Sequence, residues 1–264
     1  MSSSRPESGA LAEIDVAVLC GGLGTRLRSV LGETPKILAP VSGRPFLDHL
    51  LSWLGGFGAR RVVLCLGFRA EPVLAHLGAH SFPGIEIVPS IEPEPLGTAG
   101  ALRLAMPHLR SDPVLVMNGD TFIDADLAAF VTAHRARSAA ASILCASVPS
   151  TSRYGRIDID DAGRIRQFRE KDPSDTRPGA INAGLYLFSR AWLRGFGQSV
   201  GASLERDVFA SAPAGTFAAI PADGVTFLDI GTPESFAEAE QVIAKALGRH
   251  AAGTARSGAV RSVA

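Results

Sequence analysis

Short apolar runs alternate with segments of helical spacing through the first 150 residues, and this alternation restricts the folds open to the chain. The apolar runs are residues 14–20, 61–66, 85–89, 113–118 and 141–148. Short runs rich in Val, Ile and Leu are typical of strands buried on both faces. The helical segments between them are residues 45–57, 70–79, 98–109 and 125–137. This order predicts an α/β fold with a Rossmann-like, mixed but mostly parallel sheet flanked by helices.

The first helical segment has its apolar residues on one side. The stripe consists of Phe46, Leu47, Leu50, Leu51 and Leu54. These positions follow the period of an α-helix, so this face should pack on the sheet. Asp48 and His49 lie between them and are expected to face away from the core.

The pattern changes after residue 150 from alternation to a β-rich arrangement. Residues 153–171 predict two strands around a turn at 161–163. Residues 180–189 predict a further strand. The sequence has no internal repeat. No clear linker separates this half from the first.

Two further helices are predicted near the end of the chain. Residues 203–212 predict a short helix with Ser203 as its N-cap. Residues 224–247 predict a strand, a turn and an amphipathic helix that is capped by Thr232 and has Pro233 at its first position.

Charge and cysteine content disfavour several classes of function. The chain has 26 Lys plus Arg and 26 Asp plus Glu residues, so it lacks the basic surplus of a general nucleic-acid binder. Cys20, Cys65 and Cys145 lie in apolar runs, which is typical of reduced core thiols. Their spacing is not that of a zinc site.

The two ends of the chain are polar and rich in small residues. The first thirteen residues lack the apolar region of a secretory signal. No uninterrupted apolar run approaches the ~20 residues that a membrane span needs. We therefore expect a cytoplasmic protein without nucleic-acid or membrane partners, in which residues 1–13 and 248–264 are flexible tails.

A glycine-rich, cationic stretch directly follows the first predicted strand. Residues 19–36 contain four glycines, two arginines and a lysine, Lys36. Gly21, Gly22 and Gly24 can adopt positive φ and let another group approach the main chain closely. Successive backbone N–H groups in such a turn form a site for anions, and the cationic side chains add full positive charge. The stretch is therefore predicted to bind a polyphosphate.

The spacing of this stretch differs from that of the standard nucleotide loops. A Walker A loop has a Lys-Ser or Lys-Thr pair directly after a glycine, whereas Lys36 lies twelve residues after Gly24. A dinucleotide-binding loop has a third glycine where this chain has Leu27. A kinase loop requires H-R-D and D-F-G motifs downstream, and neither occurs. A purely structural strand-turn-helix connection is the remaining alternative.

The stretch resembles the signature of sugar-1-phosphate nucleotidylyltransferases, in which G-G-x-G-T-R-L precedes a Pro-Lys pair. The chain has this signature at residues 21–27, followed by Pro35 and Lys36. Six further segments resemble the family in the same order: EPEPLGTAGAL (92–102), VMNGDTF (116–122), YGRIDID (154–160), FREK (168–171), INAGLYLF (181–188) and FLDIGTPESF (227–236). The resemblance extends over roughly residues 14–245, almost the whole chain between the two predicted tails.

The resemblance implies both a fold and a reaction. The fold would be GT-A-like, with one domain at 14–247, a nucleotide-binding half at about 14–150 and a β-rich, sugar-phosphate-binding half at about 151–247. In the implied reaction, an oxygen of a sugar 1-phosphate attacks the α-phosphorus of a nucleoside triphosphate in line, and pyrophosphate leaves. Catalysis then consists of positioning the two substrates and neutralising their charge.

Most of the implied nucleotide contacts lie near the glycine-rich stretch. They are Leu19, Gly21, Gly22, Gly24, Thr25, Arg26, Lys36, Glu92, Gly97, Thr98, Asn118 and Asp120. Backbone N–H groups of the glycines would hold the triphosphate. Arg26 can bind phosphate oxygens bidentately, and Lys36 would reach the α-phosphate. The implied catalytic residues are Arg26, Lys36, Asp120 and Lys171.

Two aspartates are predicted to hold a magnesium ion. Asp120 ends a predicted parallel strand, where such folds bind ligands. Its partner by resemblance is Asp229. Two carboxylates and phosphate oxygens together suit Mg²⁺. Asp124 and Asp126 lie nearby but are expected to be acids at the N-terminus of the next helix.

Base selection is assigned to a glutamate. Glu92 stands where the family has its base-reading side chain. A carboxylate can accept from both N1–H and N2–H₂ of guanine, whereas uracil and thymine offer the single donor N3–H, so GTP is favoured. Glu94 is the alternative reader, and either glutamate could instead be a surface acid.

The sugar 1-phosphate is assigned to the second half. Gly155 would let the backbone meet sugar hydroxyls, and Glu170 and Asn182 would hydrogen-bond to hydroxyls. Lys171 would pair with the phosphate of the sugar. Arg153 is a further candidate for this phosphate.

Within the family, the resemblance extends furthest with the D-glycero-α-D-manno-heptose 1-phosphate guanylyltransferases, through GTRLRSV, PFLDHLL and EPLGTAGAL. The favoured product is GDP-heptose for surface polysaccharide synthesis. The alternatives are a mannose-1-phosphate guanylyltransferase, an amino-sugar-phosphate uridylyltransferase and a non-catalytic, nucleotide-sugar-binding regulatory subunit. A homo-oligomer is an open alternative to a monomer.

Overall fold

The strands and helices are taken from a computed structural model, which describes residues 9–22, 24–67, 70–137, 139–169, 171–195 and 202–245. Within these residues the strands are β1 (Val16–Leu19), β2 (Pro40–Val41), β3 (Arg44–Pro45), β4 (Arg61–Leu66), β5 (Glu86–Ile91), β6 (Val114–Asn118), β7 (Thr121–Ile123), β8 (Ala141–Val148), β9 (Ile157–Ile159), β10 (Ile165–Phe168), β11 (Gly179–Phe188), β12 (Ala218–Ala222) and β13 (Phe227–Asp229). The helices are α1 (Arg28–Leu31), α2 (Phe46–Gly56), α3 (Glu71–Ala79), α4 (Gly97–Ala105), α5 (Leu127–Ala136), α6 (Arg190–Arg194) and α7 (233–245).

A nine-stranded sheet joins both halves of the chain. Its main path is β10-β9-β11-β6-β1-β4-β5, and β8 pairs with both β11 and β12. Strand β1 runs parallel to β4 and β6, and β4 runs parallel to β5. Strand β11 runs antiparallel to β6 and β8. Strands β1, β4, β5 and β6 thus form a parallel region, β11 joins it antiparallel, and β12 pairs parallel with β8. The predicted α/β fold class is confirmed.

Helices cover both faces of the sheet. In β1, Val16 and Val18 join the core under α2, α3, α5 and α7, while Ala17 and Leu19 join the core under α4 and α6. This alternation follows from the two-residue period of a strand. Burial on both faces accounts for the continuous apolar runs in the sequence.

Helix α2 corrects the prediction made for Asp48 and His49, which are both buried. Nε2 of His49 hydrogen-bonds to the carbonyl oxygen of Val41 at 2.9 Å. Nε2 of His76 on α3 donates to Oδ1 of Asp48 at 2.7 Å. A hairpin and a second helix cover the side of α2 that the sequence pattern assigns to solvent, and they supply the partners that buried polar groups need.

The packed part of the chain begins earlier in the sequence than expected. Residues 9–13 fall in the predicted flexible tail, yet Leu11 is fully buried and its N–H donates to the carbonyl oxygen of Phe57 at 3.0 Å. Ile14 lies three residues later and is also buried, so the two apolar side chains pack together against the core. Residues 1–8 and 248–264 of the predicted tails lie outside the described residues.

The helix caps predicted from the sequence are confirmed. Oγ of Ser203 accepts from the N–H of Arg206 at 3.2 Å, although the segment Leu204–Phe209 is a π-helical turn. Oγ1 of Thr232 accepts from the N–H of Ser235 at 3.3 Å at the start of α7. The short strands β2, β3, β7 and β12 were not predicted.

The three cysteines carry free thiols, in agreement with the sequence. Across the described part of the chain, no helix is long and apolar enough to cross a membrane.

Candidate active site

A cavity of about 430 Å³ lies at the carboxyl ends of the parallel strands β1 and β6. Open parallel sheets bind ligands at this edge, because the loops that leave neighbouring strands diverge there. The sequence-predicted nucleotide residues in its lining are Leu19, Gly21, Gly22, Lys36, Glu92, Gly97, Thr98, Asn118 and Asp120. The structure therefore brings together most of the predicted nucleotide contacts.

An ion pair joins Lys36 to Asp120 in the lining of this cavity. Nζ of Lys36 lies 2.7 Å from Oδ2 of Asp120 and 3.7 Å from Oδ1 of Asp229. Lys36 begins a 3₁₀ turn whose next residue, Ile37, is buried and anchors the turn on the core. The side chain of Lys36 is 16% exposed, so its ammonium group is held close to both carboxylates.

Pairing of β13 with β7 places Asp229 beside Asp120. Asp229 lies opposite Thr121 in this antiparallel ladder, and the N–H of Ile230 donates to the carbonyl oxygen of Asp120 at 2.9 Å. Oγ1 of Thr121 also donates to Oδ1 of Asp120 at 3.3 Å. The two predicted metal ligands thus come from two distant segments of the sequence and are fixed by a backbone ladder.

The electrostatic environment of Asp229 reflects three nearby charged groups. Burial and the nearby carboxylate of Asp120 raise the pKa of Asp229, while the charges of Lys36 and Lys171 lower it. Oδ1 of Asp229 is buried and accepts no hydrogen bond. Asp120, Lys36 and Lys171 therefore all act on Asp229, and these four residues are called the acid–lysine cluster.

The glycine-rich loop packs closely against Glu92. A Cβ at Gly21 would collide with Oε1 of Glu92 and would lie 3.2 Å from the backbone nitrogen of Gly67. Gly24 adopts φ +59°, a conformation that favours glycine. Gly22 has open space around its Cα, as a backbone surface for a ligand requires.

The arginines of the loop lie away from this cavity. Arg26 is exposed and is not part of the cavity lining in the described residues. Arg28 pairs with Glu33 at the surface and, with Gly24, lines a smaller neighbouring cavity of about 210 Å³. The side chain of Thr25 lies outside the described residues. A phosphate contact by Arg26 stays a prediction.

The two candidate base readers differ in burial. Glu92 is 3% exposed, and its Oε2 accepts from the N–H of Leu96 at 2.8 Å. Burial raises the pKa of Glu92, and this backbone hydrogen bond lowers it. Glu94 is exposed and does not line the cavity. The arrangement favours Glu92 over Glu94 as the reader.

Gly155, Lys171 and Asn182, three sugar-phosphate candidates that the structure describes, lie outside the lining of the nucleotide cavity. Gly155 is buried with φ +76° and lines a separate cavity of about 430 Å³ beside Arg156 and Gln167. Nδ2 of Asn182 donates to the hydroxyl of Tyr186 at 2.9 Å. Lys171 lies close enough to lower the pKa of Asp229.

Of the two other candidates for the sugar site, the structure describes Arg153 but not Glu170. The guanidinium carbon of Arg153 lies 5.5 Å from the ring centre of Tyr154. Glu170 lies outside the described residues.

Asp126 has the capping role expected from the sequence. It is the N-cap of α5, and its Oδ1 accepts from the N–H groups of Ala128 at 2.9 Å and Ala129 at 3.0 Å. Across the described residues no group of three or more His, Cys, Asp or Glu side chains is arranged to hold a metal. A metal at Asp120 and Asp229 would therefore need further oxygens from the substrates.

The profile of the nucleotidyl transferase family matches residues 16–246. The chain belongs to this family. The mannose-1-phosphate guanylyltransferase of Mycobacterium tuberculosis is 35% identical over 229 residues, which are 86% of this chain and 64% of that protein. The D-glycero-α-D-manno-heptose 1-phosphate guanylyltransferase of Campylobacter jejuni is 32% identical over 219 residues, which are 83% of this chain and 95% of that protein.

A solved structure agrees with these sequence relatives. The crystal structure of HddC from Yersinia pseudotuberculosis matches this nucleotidyl transferase with a TM-score of 0.77 and 32% identity, over 86% of this chain and 98% of that chain. The crystal structure of HddC complexed with GMP-PN matches to the same extent. The predicted resemblance to sugar-1-phosphate nucleotidylyltransferases is thereby confirmed.

Sequence reasoning missed one polar residue of the nucleotidyl transferase cavity. Glu205 contributes to the lining, from the π-helical turn that Ser203 caps. An acidic residue in the first turn of a helix is common because it favours the helix dipole. The local sequence therefore gave no reason to assign Glu205 to the site.

Proposed function

We propose that this nucleotidyl transferase transfers GMP from GTP to D-glycero-α-D-manno-heptose 1-phosphate and forms GDP-heptose and pyrophosphate. A phosphate oxygen of the sugar 1-phosphate attacks the α-phosphorus. The bond between the α-phosphorus and the bridging oxygen breaks, and pyrophosphate leaves with the electron pair. The acid–lysine cluster beside the cavity is the observation that supports this proposal, because two lysine cations can offset the negative charge of two polyanionic substrates.

Each lysine of the cluster has its own role. Lys36 lies within the nucleotide cavity, so its ammonium group stabilises the charge that builds on the α-phosphate. Lys171 acts on Asp229 from outside that lining, which suits a contact with the phosphate of the sugar. Neutralising both anions lowers the repulsion that opposes their approach.

Mg²⁺ is the cofactor that fits the two aspartates. The buried Oδ1 of Asp229 accepts no hydrogen bond, and oxygen ligands are those that Mg²⁺ prefers. Asp120 and Asp229 would hold the ion together with oxygens of the substrates. When bound, Mg²⁺ neutralises charge on the phosphates. The aspartates keep their positions through the β7–β13 ladder, and Lys36 remains the cation that this chain itself supplies.

Guanine is the base that suits the buried carboxylate of Glu92. One of its oxygens is held by the N–H of Leu96, which fixes the orientation of the group. Each carboxylate oxygen has a further lone pair, so N1–H and N2–H₂ of guanine can both be accepted. Uracil and thymine offer one donor, which leaves part of the carboxylate unmatched. Guanylyltransferase activity in both curated relatives supports the same choice.

The heptose 1-phosphate is the favoured acceptor. The chain spans 95% of the Campylobacter jejuni heptose enzyme but 64% of the Mycobacterium tuberculosis mannose enzyme. Mannose 1-phosphate is the second candidate, because the mannose enzyme has 35% identity to this chain. We place the reaction in the cytoplasm, where it would supply GDP-heptose for surface polysaccharide synthesis.

A matrix of pyrophosphate-release assays tests the proposal. GTP, ATP, UTP and dTTP are each combined with the heptose 1-phosphate, mannose 1-phosphate and glucosamine 1-phosphate, with Mg²⁺ present. The highest kcat/KM is expected for GTP with the heptose 1-phosphate. A maximum at mannose 1-phosphate would change the acceptor, and a maximum at UTP would contradict the role of Glu92. No release with any pair would favour a regulatory, non-catalytic protein.

A further inference from the structure

A chain of hydrogen bonds links the nucleotide cavity to strand β11. Oε2 of Glu205 accepts from Oγ1 of Thr98 at 3.5 Å, and its Oε1 accepts from the hydroxyl of Tyr186 at 3.3 Å. The hydroxyl of Tyr186 in turn accepts from Nδ2 of Asn182 at 2.9 Å. Thr98 is a predicted nucleotide contact, and Asn182 is a predicted sugar contact. Glu205 therefore lies between the two predicted subsites.

Backbone contacts hold the segment of Glu205 against the nucleotide loop. The N–H of Leu204 donates to Oγ1 of Thr98 at 2.8 Å, and the N–H of Ala99 donates to the carbonyl oxygen of Ala202 at 2.9 Å. A Cβ on Gly97 would collide with that same carbonyl oxygen. Because Oγ1 of Thr98 accepts from Leu204, its one hydroxyl proton can be donated to Glu205.

Burial holds the other end of the chain in place. Tyr186 is fully buried, and its ring centre lies 5.1 Å from that of Phe209 and 5.6 Å from that of Phe188. Burial and the charge of Glu205 raise the pKa of Tyr186, so its hydroxyl stays protonated and can donate. Leaving the buried hydroxyl of Tyr186 without a partner would be costly, so the members of the chain should move together.

We propose that Glu205 is a positioning residue that couples binding of the nucleotide to binding of the sugar 1-phosphate. A nucleotide that fixes the loop of Thr98 also fixes Glu205 and Tyr186, and these hold Asn182 in the orientation that receives the sugar. Coupling between two binding sites is reciprocal, so each substrate changes the affinity for the other by the same factor. The inference rests on the proposed function, because it takes Thr98 and Asn182 as substrate contacts.

Titration calorimetry measures this coupling without turnover. The Kd of D-glycero-α-D-manno-heptose 1-phosphate is measured with and without α,β-methylene-GTP, whose α–β bridge cannot be cleaved, and the ratio of the two values is the coupling factor. Glu205→Gln keeps the size of the side chain but loses one acceptor oxygen, and Tyr186→Phe keeps the ring but loses the hydroxyl. We expect each variant to lower the coupling factor at least about threefold.

Three comparisons separate positioning from a general effect on structure. Glu71→Gln and Thr132→Val are matched controls at exposed positions on α3 and α5, and both should keep the wild-type coupling factor. The double variant Glu205→Gln/Tyr186→Phe should have the same factor as either single variant, because both changes break one link. If Glu205 had a purely structural role, its replacement would lower the melting temperature and weaken the binding of both ligands. The coupling factor would then stay unchanged.

The outcomes for this inference and for the proposed function are distinct. An unchanged coupling factor in folded Glu205→Gln, together with GTP turnover by the wild type, would overturn the inference alone. If Tyr186→Phe fails to fold, Glu205→Gln decides, because Glu205 is only half-buried. A wild-type protein that binds neither the GTP analogue nor the sugar phosphate would overturn both.

Discussion

Nζ of Lys36 lies 2.7 Å from Oδ2 of Asp120, although 84 positions separate the two residues in the chain. The predicted α-phosphate contact thus forms an ion pair with a predicted metal ligand in the protein without substrates. A half-buried ion pair of this kind holds the lysine close to the carboxylates, but phosphate and metal must take over its contacts on binding. The residues of the cluster should therefore affect turnover more than folding.

The two lysines of the cluster should affect different kinetic constants. Lys36→Ala is expected to lower kcat by ~10²-fold or more, as when one preorganised stabiliser of the transition state is removed. Lys171→Ala is expected mainly to raise KM for the sugar 1-phosphate. Lys245→Ala, at an exposed position of α7, is the matched control. Steady-state kinetics with each substrate varied checks both, and a rise confined to KM for GTP in Lys171→Ala would reverse the assignment.

The two aspartates should be needed for magnesium dependence. Asp120→Asn and Asp229→Asn keep the size of the side chain but remove the charge that holds the ion, so each should abolish most turnover while circular dichroism shows an intact fold. Asp161→Asn, in the exposed turn between β9 and β10, serves as the control. The measurement is kcat against Mg²⁺ concentration. Near wild-type kcat at low Mg²⁺ in either variant would show that the residue is not a ligand.

Base selection should depend on Glu92 rather than Glu94. Glu92→Gln leaves one acceptor oxygen and turns an NH₂ group towards a donor of guanine, so kcat/KM for GTP should fall at least ~10-fold, or about 1.4 kcal/mol. ITP should be affected less, because inosine lacks the 2-amino group. Glu94→Gln should be nearly silent. The reverse result would make Glu94 the reader, and two silent variants would leave base recognition to the backbone.

The proposed role of Glu92 as the base reader also predicts a pH dependence. Burial raises the pKa of Glu92, so its carboxylate is protonated at a higher pH than that of an ordinary glutamate. The protonated group accepts poorly from guanine, so kcat/KM for GTP should decline as pH falls through this raised pKa. The pH profile of Glu92→Gln should lack that decline. If kcat/KM for GTP declines at low pH in the wild type just as it does in Glu92→Gln, Glu92 does not bind the base.

The packed start of the chain should contribute to stability. Leu11 is fully buried, and Leu11→Ala would leave a cavity beside α2, so the free energy of unfolding should fall by about 2–5 kcal/mol. Leu104→Ala, at a side chain that is 36% exposed, should cost about 1 kcal/mol or less. Urea unfolding measures both. If both variants lose the same small amount of unfolding free energy, residues 9–13 belong to the flexible tail.

Local sequence patterns predicted the elements that depend only on residues near one another in the sequence. Strands such as β1 and β4 are apolar on both faces, and caps such as Ser203 and Asp126 depend on neighbouring residues alone. Asp48 was wrongly assigned to solvent, because its partner His76 comes from another helix. Glu205 was missed for the same reason, since its contacts with Thr98 and Tyr186 arise only when distant segments meet.

The fate of the acceptor phosphate tests nucleotidyl transfer most directly. The heptose 1-phosphate is prepared with ¹⁸O in all of its non-bridging phosphate oxygens and is incubated with GTP and Mg²⁺. Direct attack of the sugar phosphate on the α-phosphorus predicts GDP-heptose that keeps the whole label, together with unlabelled pyrophosphate, by mass spectrometry. Unlabelled GMP and pyrophosphate without labelled GDP-heptose would mean that water is the acceptor, and would contradict the proposed function.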